Sequence, residues 1–70
     1  MLYNIYDYVM TATPWWRPNS WGYTNNRAEA GEYTLEEAVG IVLRTNVNNQ
    51  FRRPDWPEVA IKMVRTDEEP

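Results

Sequence analysis

Aromatic side chains must supply most of whatever hydrophobic core this chain forms. The 70 residues include four Trp, five Tyr and one Phe, but only three Ile, three Leu and six Val. So low a content of Leu, Ile, Val and Phe lies near the border of intrinsic disorder. Each aromatic side chain buries roughly 150–250 Å² when packed, however, so ten of them can build a small core. We therefore expect a folded protein in which several Trp and Tyr residues are structural.

The residue types that the chain lacks exclude many functions. There is no Cys and no His, so disulfides, thiol nucleophiles, the commonest metal ligands and the commonest general base are all missing. The carboxylates Glu36 and Glu37 are helix neighbours that do not share a face, so they are not expected to form a catalytic pair. We expect a protein that is not an enzyme and that holds no cofactor or metal.

Length and charge indicate one small domain without a clear electrostatic preference. Seventy residues suffice for a single domain, which we place at residues 1–66, followed by an acidic tail at 67–70. The net charge of −3 is too small to indicate a polyanion binder. No apolar run approaches the roughly 20 residues that cross a bilayer, and no export signal is recognisable. We expect a cytoplasmic protein that does not enter membranes.

The first part of the chain has the composition of a strand followed by an aromatic loop. Residues 2–13 are rich in Tyr, Ile, Val and Thr and are predicted to form the first strand, with both of its faces covered. Pro14 and Pro18 bracket Trp15–Trp16, which favours a turn with a short edge strand, because Pro lacks the N–H of a central ladder. Residues 22–31 are predicted to be loop with one short extended piece.

The strongest local signal predicts a helix. Thr34 followed by Glu37 has the spacing of a capping box, in which each side chain binds a backbone N–H of the other residue. The apolar positions that follow have helical spacing, so we predict a helix over about 35–46 that ends at Asn46 or Asn48. The polar residues after it are then expected to form a loop, where Asn serves turn geometry.

These elements together predict an α+β fold. Residues 58–65 alternate as a last strand, which we expect to pair with residues 2–13 at the centre of the sheet. Trp15–Trp16 and residues 31–33 would add short strands. The result is a single helix packed on one face of a small, mainly antiparallel sheet.

Two segments of the chain resemble a group of phage proteins. Residues 15–24 read WWRPNSWGYT, and residues 30–38 read AGEYTLEEA. This pattern resembles short tailed-phage and prophage accessory proteins with WW-x-P-N-x-x-G-Y-T and A-G-x-Y-T-x-E-E-A segments. The resemblance covers about a third of the chain. Small phage accessory proteins often inhibit host defence, and anti-CRISPR proteins are among them. By analogy with that class, the resemblance implies an inhibitor of host defence. Trp21 departs from the pattern, in which a small or basic residue is expected at this position. If Trp21 is exposed, it is expected to serve the recognition of this protein's own partner.

The aromatic loop and the arginines are the candidate functional residues. Trp, Tyr and Arg dominate protein–protein hot spots, because each combines contact area with a polar group. Trp15 and Trp16 point to opposite sides of an extended chain, so we expect one in the core and one exposed. The predicted partner-binding residues are Trp16, Arg17, Trp21, Tyr23, Arg27, Phe51, Arg52 and Arg53.

The leading hypothesis is a non-enzymatic, phage-encoded inhibitor that acts in the host cytoplasm. It would bind and occlude a host protein, such as a subunit of a CRISPR–Cas or other immune complex, and a homodimer is a secondary expectation. One alternative is a nucleotide or nucleic-acid sponge that uses aromatic stacking, although the net charge argues against nucleic acid. Another is a virion or assembly accessory protein. Asp7, inside an apolar strand, is expected to pair with an arginine or to cap a loop.

Overall fold

The computed structural model describes residues 1–70 and has a four-stranded antiparallel sheet with one helix on one face. The strands lie in the order β3-β2-β1-β4. The predicted α+β class is therefore confirmed. The elements are β1 (Tyr3–Asp7), β2 (Trp15–Trp16), β3 (Tyr23–Thr24), α1 (Leu35–Arg52) and β4 (Ile61–Arg65), with short 3₁₀ turns at Pro18–Ser20 and Arg27–Glu29.

Strand β1 is shorter than the sequence predicts because Asp7 turns the chain. Its Oδ1 accepts hydrogen bonds from the backbone N–H groups of Val9 (2.8 Å) and Met10 (2.9 Å). This arrangement satisfies two amides that have left the sheet and ends the strand at Asp7, so the prediction of a strand to residue 13 was wrong. The expectation that Asp7 caps a loop is confirmed.

The sheet centre also differs from the prediction. β1 pairs with β4 from Tyr3↔Arg65 to Asp7↔Ile61, but β4 is an edge strand and begins at Ile61 rather than at residue 58. β1 and the two-residue β2 are central. Residues 31–33 contribute one isolated bridge, in which Tyr3 and Tyr33 exchange two backbone hydrogen bonds of 2.8 Å.

Helix α1 begins as predicted and ends later. Thr34 and Glu37 form the complete capping box, with N–H···O distances of 3.2 and 3.0 Å. The helix then continues for 18 residues to Arg52, so the predicted stop at Asn46 or Asn48 and the polar loop after it were wrong. The Asn46 side chain does not end the helix, because it is hydrogen-bonded to β4. None of the helices combines the length and apolar character of a bilayer-crossing segment.

Both faces of the sheet are covered, as the alternation of β1 predicts. The helix side has a core of Ile5, Tyr33, Ala38 and Ile61, and the other side has Trp15, Ala30 and Val64. Trp15 and Trp16 do point to opposite faces. Trp15 is only 7% exposed, and Trp16 is half-buried against the helix-side core, so neither stands free of the fold.

The segments 15–24 and 30–38 hold each other in place. A Cβ at Gly31 would lie 2.8 Å from the Pro18 Cα and 2.8 Å from the Tyr33 ring, so only glycine fits this contact. The Tyr33 hydroxyl donates to the Arg17 carbonyl (2.5 Å) and accepts from the Ser20 N–H (3.1 Å). The motif residues therefore fix the turn that precedes β3.

Candidate functional site

A cleft of about 320 Å³ lies between the C-terminal half of α1 and one end of the sheet. We call it the Arg/Trp cleft. Three parts of the chain meet there: the end of β1, strand β3, and the last turns of α1 with the loop that follows. The lining residues that bear chemistry are Asp7, Tyr23, Asn49, Arg52, Arg53 and Trp56.

A tight turn stacks Arg53 on Trp56. The Arg53 N–H closes the helix on the Asn49 carbonyl (2.7 Å), and the Trp56 N–H then bonds the Arg53 carbonyl (2.9 Å). This turn brings the indole against the guanidinium, whose Cζ lies 4.6 Å from the ring centre. A cation stacked on an aromatic face keeps the N–H groups at its edges available, so Arg53 is presented as an oriented planar donor.

The two cleft arginines have no acidic partner within the chain. All three ion pairs of the protein involve Arg17 or Arg65, and neither Arg52 nor Arg53 takes part in one. Both arginines are exposed. The cleft therefore combines two uncompensated positive charges with one carboxylate, Asp7, in a protein whose net charge is −3.

Tyr23 brings strand β3 into the lining of the cleft. Its ring meets that of Trp16 edge to face, with centroids 5.9 Å apart. Burial raises the pKa of the Tyr23 hydroxyl, and the negative charge of Asp7 raises that pKa further. Tyr23 lines the same cleft as the two arginines, and the raised pKa keeps its hydroxyl a hydrogen-bond donor further into the alkaline range.

These groups suit the recognition of an anion next to an apolar or planar surface. Guanidinium groups bind carboxylates and phosphates through paired, charge-assisted hydrogen bonds. Trp56 offers contact area, while Tyr23 and Asn49 offer neutral polar groups that can select orientation. No three carboxylates come together in a way that could hold a metal ion.

The cleft brings together three of the predicted partner-binding residues, Tyr23, Arg52 and Arg53. The sequence predicts Tyr23 in the aromatic loop and the two arginines in the polar loop after the helix. Trp56 was missed. The signal for it is the Arg53-to-Trp56 spacing around Pro54, which suits a four-residue turn that stacks its first and last side chains.

Two other predicted arginines make contacts within the chain. Arg27 donates to the Asn4 side chain (3.0 Å) and the Arg65 carbonyl (2.9 Å), and its guanidinium lies 4.5 Å from the Trp15 ring centre. Arg17 bonds the Tyr23 carbonyl (3.3 Å) and pairs with Glu29 (3.4 Å). These contacts hold β3 and the turn after it on the sheet.

The remaining predicted residues lie apart from the cleft. Trp21 is 82% exposed and follows a turn in which Asn19 and Ser20 both have a φ of 58°. Phe51 is 90% exposed on the outer side of α1. Trp16 supports Tyr23 from within the fold, and its Nε1 is buried without a hydrogen-bond partner.

A second groove, of about 540 Å³, runs between the Asn19–Ser20 turn and α1. It is lined by charges of both signs, with Glu36 and Glu37 near its N-terminal end and Arg44 further along the helix. Glu37 is already engaged in the capping box. The groove lacks the arginine stacked on an indole that distinguishes the Arg/Trp cleft, and its one arginine, Arg44, is accompanied by two carboxylates.

No protein-family model, curated protein or solved structure matches this chain.

Proposed function

We propose that this protein is a non-enzymatic binding protein whose Arg/Trp cleft takes an acidic side chain of a partner protein. The observation that supports this proposal is the Arg53 guanidinium stacked on Trp56, beside Arg52, with no acidic group of the chain paired to either arginine. Bound there, a partner would lose access to the surface around its acidic residue. The protein then acts by steric occlusion.

Preorganisation is the physical reason for favouring this cleft. The plane of a guanidinium held against an indole is already oriented, so forming a bidentate pair with a carboxylate costs less entropy. The local positive charge also steers an acidic partner toward a protein that is negative overall. Trp, Tyr and Arg together are the types that make hot spots.

The exposed Trp21 supports a protein partner rather than a small ligand alone. A single Trp with 82% of its surface exposed is a ready anchor for a second contact region. We assign it to the edge of the interface.

The resemblance of residues 15–38 to phage accessory proteins supports a host protein as the partner. Within that class, the partner would be a subunit of a CRISPR–Cas or other anti-phage complex, bound in the host cytoplasm. This part of the proposal has the resemblance as its sole support.

A second candidate function uses the same cleft for a nucleotide. The cleft volume of about 320 Å³ is at the lower end of small-molecule sites, which span roughly 300–1,000 Å³. A base could stack on Trp56 or Tyr23 while the arginines meet phosphate. The protein would then sequester a signalling nucleotide rather than block a protein.

Affinity capture from a lysate of phage-infected host cells distinguishes the two functions. The tagged protein is used as bait, and both retained proteins and retained nucleotides are identified by mass spectrometry. The proposal predicts a stoichiometric protein that is captured by the wild type and lost by Trp56→Ala. If a nucleotide is retained without any protein, the proposal of a protein partner is wrong and the second function takes its place.

The matched control is Trp21→Ala, which removes an exposed Trp outside the cleft. It should reduce capture less than Trp56→Ala does. If Trp21→Ala abolishes capture and Trp56→Ala leaves it intact, the binding site lies around the 18–21 turn and the cleft assignment is wrong. Circular dichroism of both variants confirms that each is folded.

A further inference from the structure

We propose that the second groove, between the Asn19–Ser20 turn and α1, binds an extended peptide that carries side chains of opposite charge four residues apart. The groove has a volume of about 540 Å³ and shares no lining residue with the Arg/Trp cleft. The inference therefore does not depend on the function proposed for the cleft, and the two sites take separate ligands.

Three residues of α1 that line the groove form one row along the helix. Glu36, Gly40 and Arg44 are spaced by four residues, and residues with this spacing are neighbours on a helix surface. The row turns around the helix by only about 80° from its first member to its last. Consecutive members lie about 6 Å apart along the helix axis, so the two charged ends are about 12 Å apart. The row therefore presents a carboxylate, a gap and a guanidinium, in that order.

The charges at the two ends of this row have no partner within the chain. Every ion pair of the protein involves Arg17 or Arg65, so neither Glu36 nor Arg44 forms one. Both residues are exposed. Glu37 adds a second carboxylate at the acidic end, although one of its oxygens accepts the hydrogen bonds of the capping box. The groove thus has a negative end and a positive end, and each can pair with an opposite charge on a ligand.

Gly40 leaves a gap in the middle of the row that the fold does not require. Glycine is unfavourable inside a helix, and a Cβ placed at Gly40 would meet no atom of the chain within 4 Å. No neighbour within the chain therefore explains the glycine, whereas close approach of a ligand to the helix backbone does. Tyr33 and Ile41 line the same groove, so the gap suits an apolar side chain of that ligand.

An extended peptide matches the spacing of this row. In a strand, residues i, i+2 and i+4 point to the same side and follow one another at about 6.6 Å. A basic residue at Glu36, an apolar residue at the Gly40 gap and an acidic residue at Arg44 are then all in register. The recognised pattern is basic-x-apolar-x-acidic, in either chain direction, because the row fixes the order of the charges and not the direction of the peptide.

The Asn19–Ser20 turn forms the other wall of the groove and supplies polar groups for the peptide backbone. Both residues have a φ of 58°, in the left-handed region that residues other than glycine seldom adopt. Tyr33 holds the turn, because its hydroxyl bonds both the Arg17 carbonyl and the Ser20 N–H. An amide and a hydroxyl side chain on such a fixed wall can bond the N–H and C=O groups of an extended chain.

Titration of the purified protein with short synthetic peptides, followed by NMR chemical shifts, tests this proposal. The first peptide has seven residues, too few for a stable helix, with Lys, Leu and Glu at its second, fourth and sixth positions and serine elsewhere. The second peptide has Lys in place of the Glu. We expect the wild type to bind the Lys/Glu peptide at least about tenfold more tightly, although its net charge of −3 favours the Lys/Lys peptide.

Substitutions in the groove should change this preference in a defined way. Arg44→Glu should reverse it, because both ends of the groove are then acidic. Gln50→Glu adds a negative charge at an exposed position of α1 outside the groove and should keep the wild-type preference. Gly40→Ala fills the gap and should weaken binding of the Lys/Glu peptide by about fivefold or more. Because this variant should be no less stable than the wild type, loss of the fold cannot account for the effect.

The chemical shifts also show where the peptide lies. Binding in the groove should shift the amides of Ser20, Gly40 and Ile41. If the shifts centre instead on residues that line the Arg/Trp cleft, the peptide binds there and the proposal is wrong. Failure of the wild type to bind the Lys/Glu peptide, or an unchanged preference in Arg44→Glu, would also overturn it.

Discussion

The side-chain amide of Asn46 hydrogen-bonds both backbone groups of Ile61. Its Oδ1 accepts the Ile61 N–H (3.1 Å) and its Nδ2 donates to the Ile61 carbonyl (3.1 Å), while the Ala60 N–H also bonds Oδ1 (2.9 Å). Ile61 is the first residue of the edge strand β4. The helix thus covers part of a sheet edge that would otherwise be open to pairing with another chain.

Replacing Asn46 by leucine should destabilise the protein. The substitution removes three hydrogen bonds, each worth roughly 0.5–1.5 kcal/mol, and leaves partly buried backbone groups unpaired. We expect the free energy of unfolding, measured with urea, to fall by about 2–4 kcal/mol. Asn48→Leu, at an exposed position of the same helix, should change it by no more than about 0.5 kcal/mol. Equal effects of the two substitutions would contradict the role of Asn46.

The Asn46 contact also explains why the helix end could not be predicted. Asparagine is a common helix stop in local sequence, and for that reason the sequence predicts an end at Asn46 or Asn48. The start of α1 was predictable because Thr34 and Glu37 satisfy each other within one turn. What Asn46 does depends on β4, fifteen residues later, and no local pattern contains that information.

Two glycines should respond to alanine in opposite directions. Gly31→Ala forces a Cβ against Pro18 and Tyr33 at 2.8 Å, and we expect a loss of about 1–3 kcal/mol in the free energy of unfolding. Gly40→Ala meets nothing and should stabilise the protein by up to about 1 kcal/mol. A stable Gly31→Ala variant would mean that the contact between segments 15–24 and 30–38 is looser than the structure describes.

Asp7→Asn should lower the pKa of Tyr23 without removing the cap. The amide Oδ1 can still accept the Val9 and Met10 N–H groups, but the negative charge that helps to raise the Tyr23 pKa is gone. The pKa should stay above the usual value for tyrosine, because burial is the larger cause. The Tyr23 pKa is measured from tyrosinate absorbance as a function of pH, after subtraction of the same titration of the Tyr23→Phe variant. An unchanged Tyr23 pKa would show that Asp7 has no electrostatic effect on the cleft.

The raised pKa of Tyr23 also makes the protein less stable at alkaline pH. Because the folded-state pKa of Tyr23 is raised, its neutral form contributes stability below the usual pKa of tyrosine. That contribution is lost as the pH rises through the folded-state value. The alkaline decrease in melting temperature should therefore be smaller for Asp7→Asn than for the wild type.

Glu37 should contribute to stability with the opposite pH dependence, so that its contribution is lost in acid. Hydrogen bonds from the Thr34 backbone and side chain lower the pKa of the Glu37 carboxyl, so its contribution is present above the usual glutamate pKa. It is lost as the pH falls through the lowered folded-state value. The melting-temperature difference between the wild type and Glu37→Gln should be largest near neutral pH and should vanish in strong acid. A constant difference would mean that the charge of Glu37 does not matter for the cap.

The candidate site was predictable in composition but not in geometry. Tyr23, Arg52 and Arg53 were identified because of their residue types, although the fold alone brings β3 to the end of α1. Arg27 has the same chemistry, yet it lies over Trp15 and bonds Asn4. Residue type cannot separate an arginine that holds the fold from one that faces a cleft, because the difference lies in long-range contacts.

The measurement that tests the central claim most directly compares Arg53→Gln with Arg44→Gln in their affinity for the captured partner. Each substitution removes one positive charge from an exposed arginine, Arg44 within α1 and Arg53 directly after it, but only Arg53 is stacked in the cleft. We expect Arg53→Gln to weaken binding by about 2 kcal/mol or more, roughly thirtyfold, and Arg44→Gln to change it little. Equal losses would mean that net charge alone drives binding, and an unchanged Arg53→Gln affinity would contradict the cleft as the binding site.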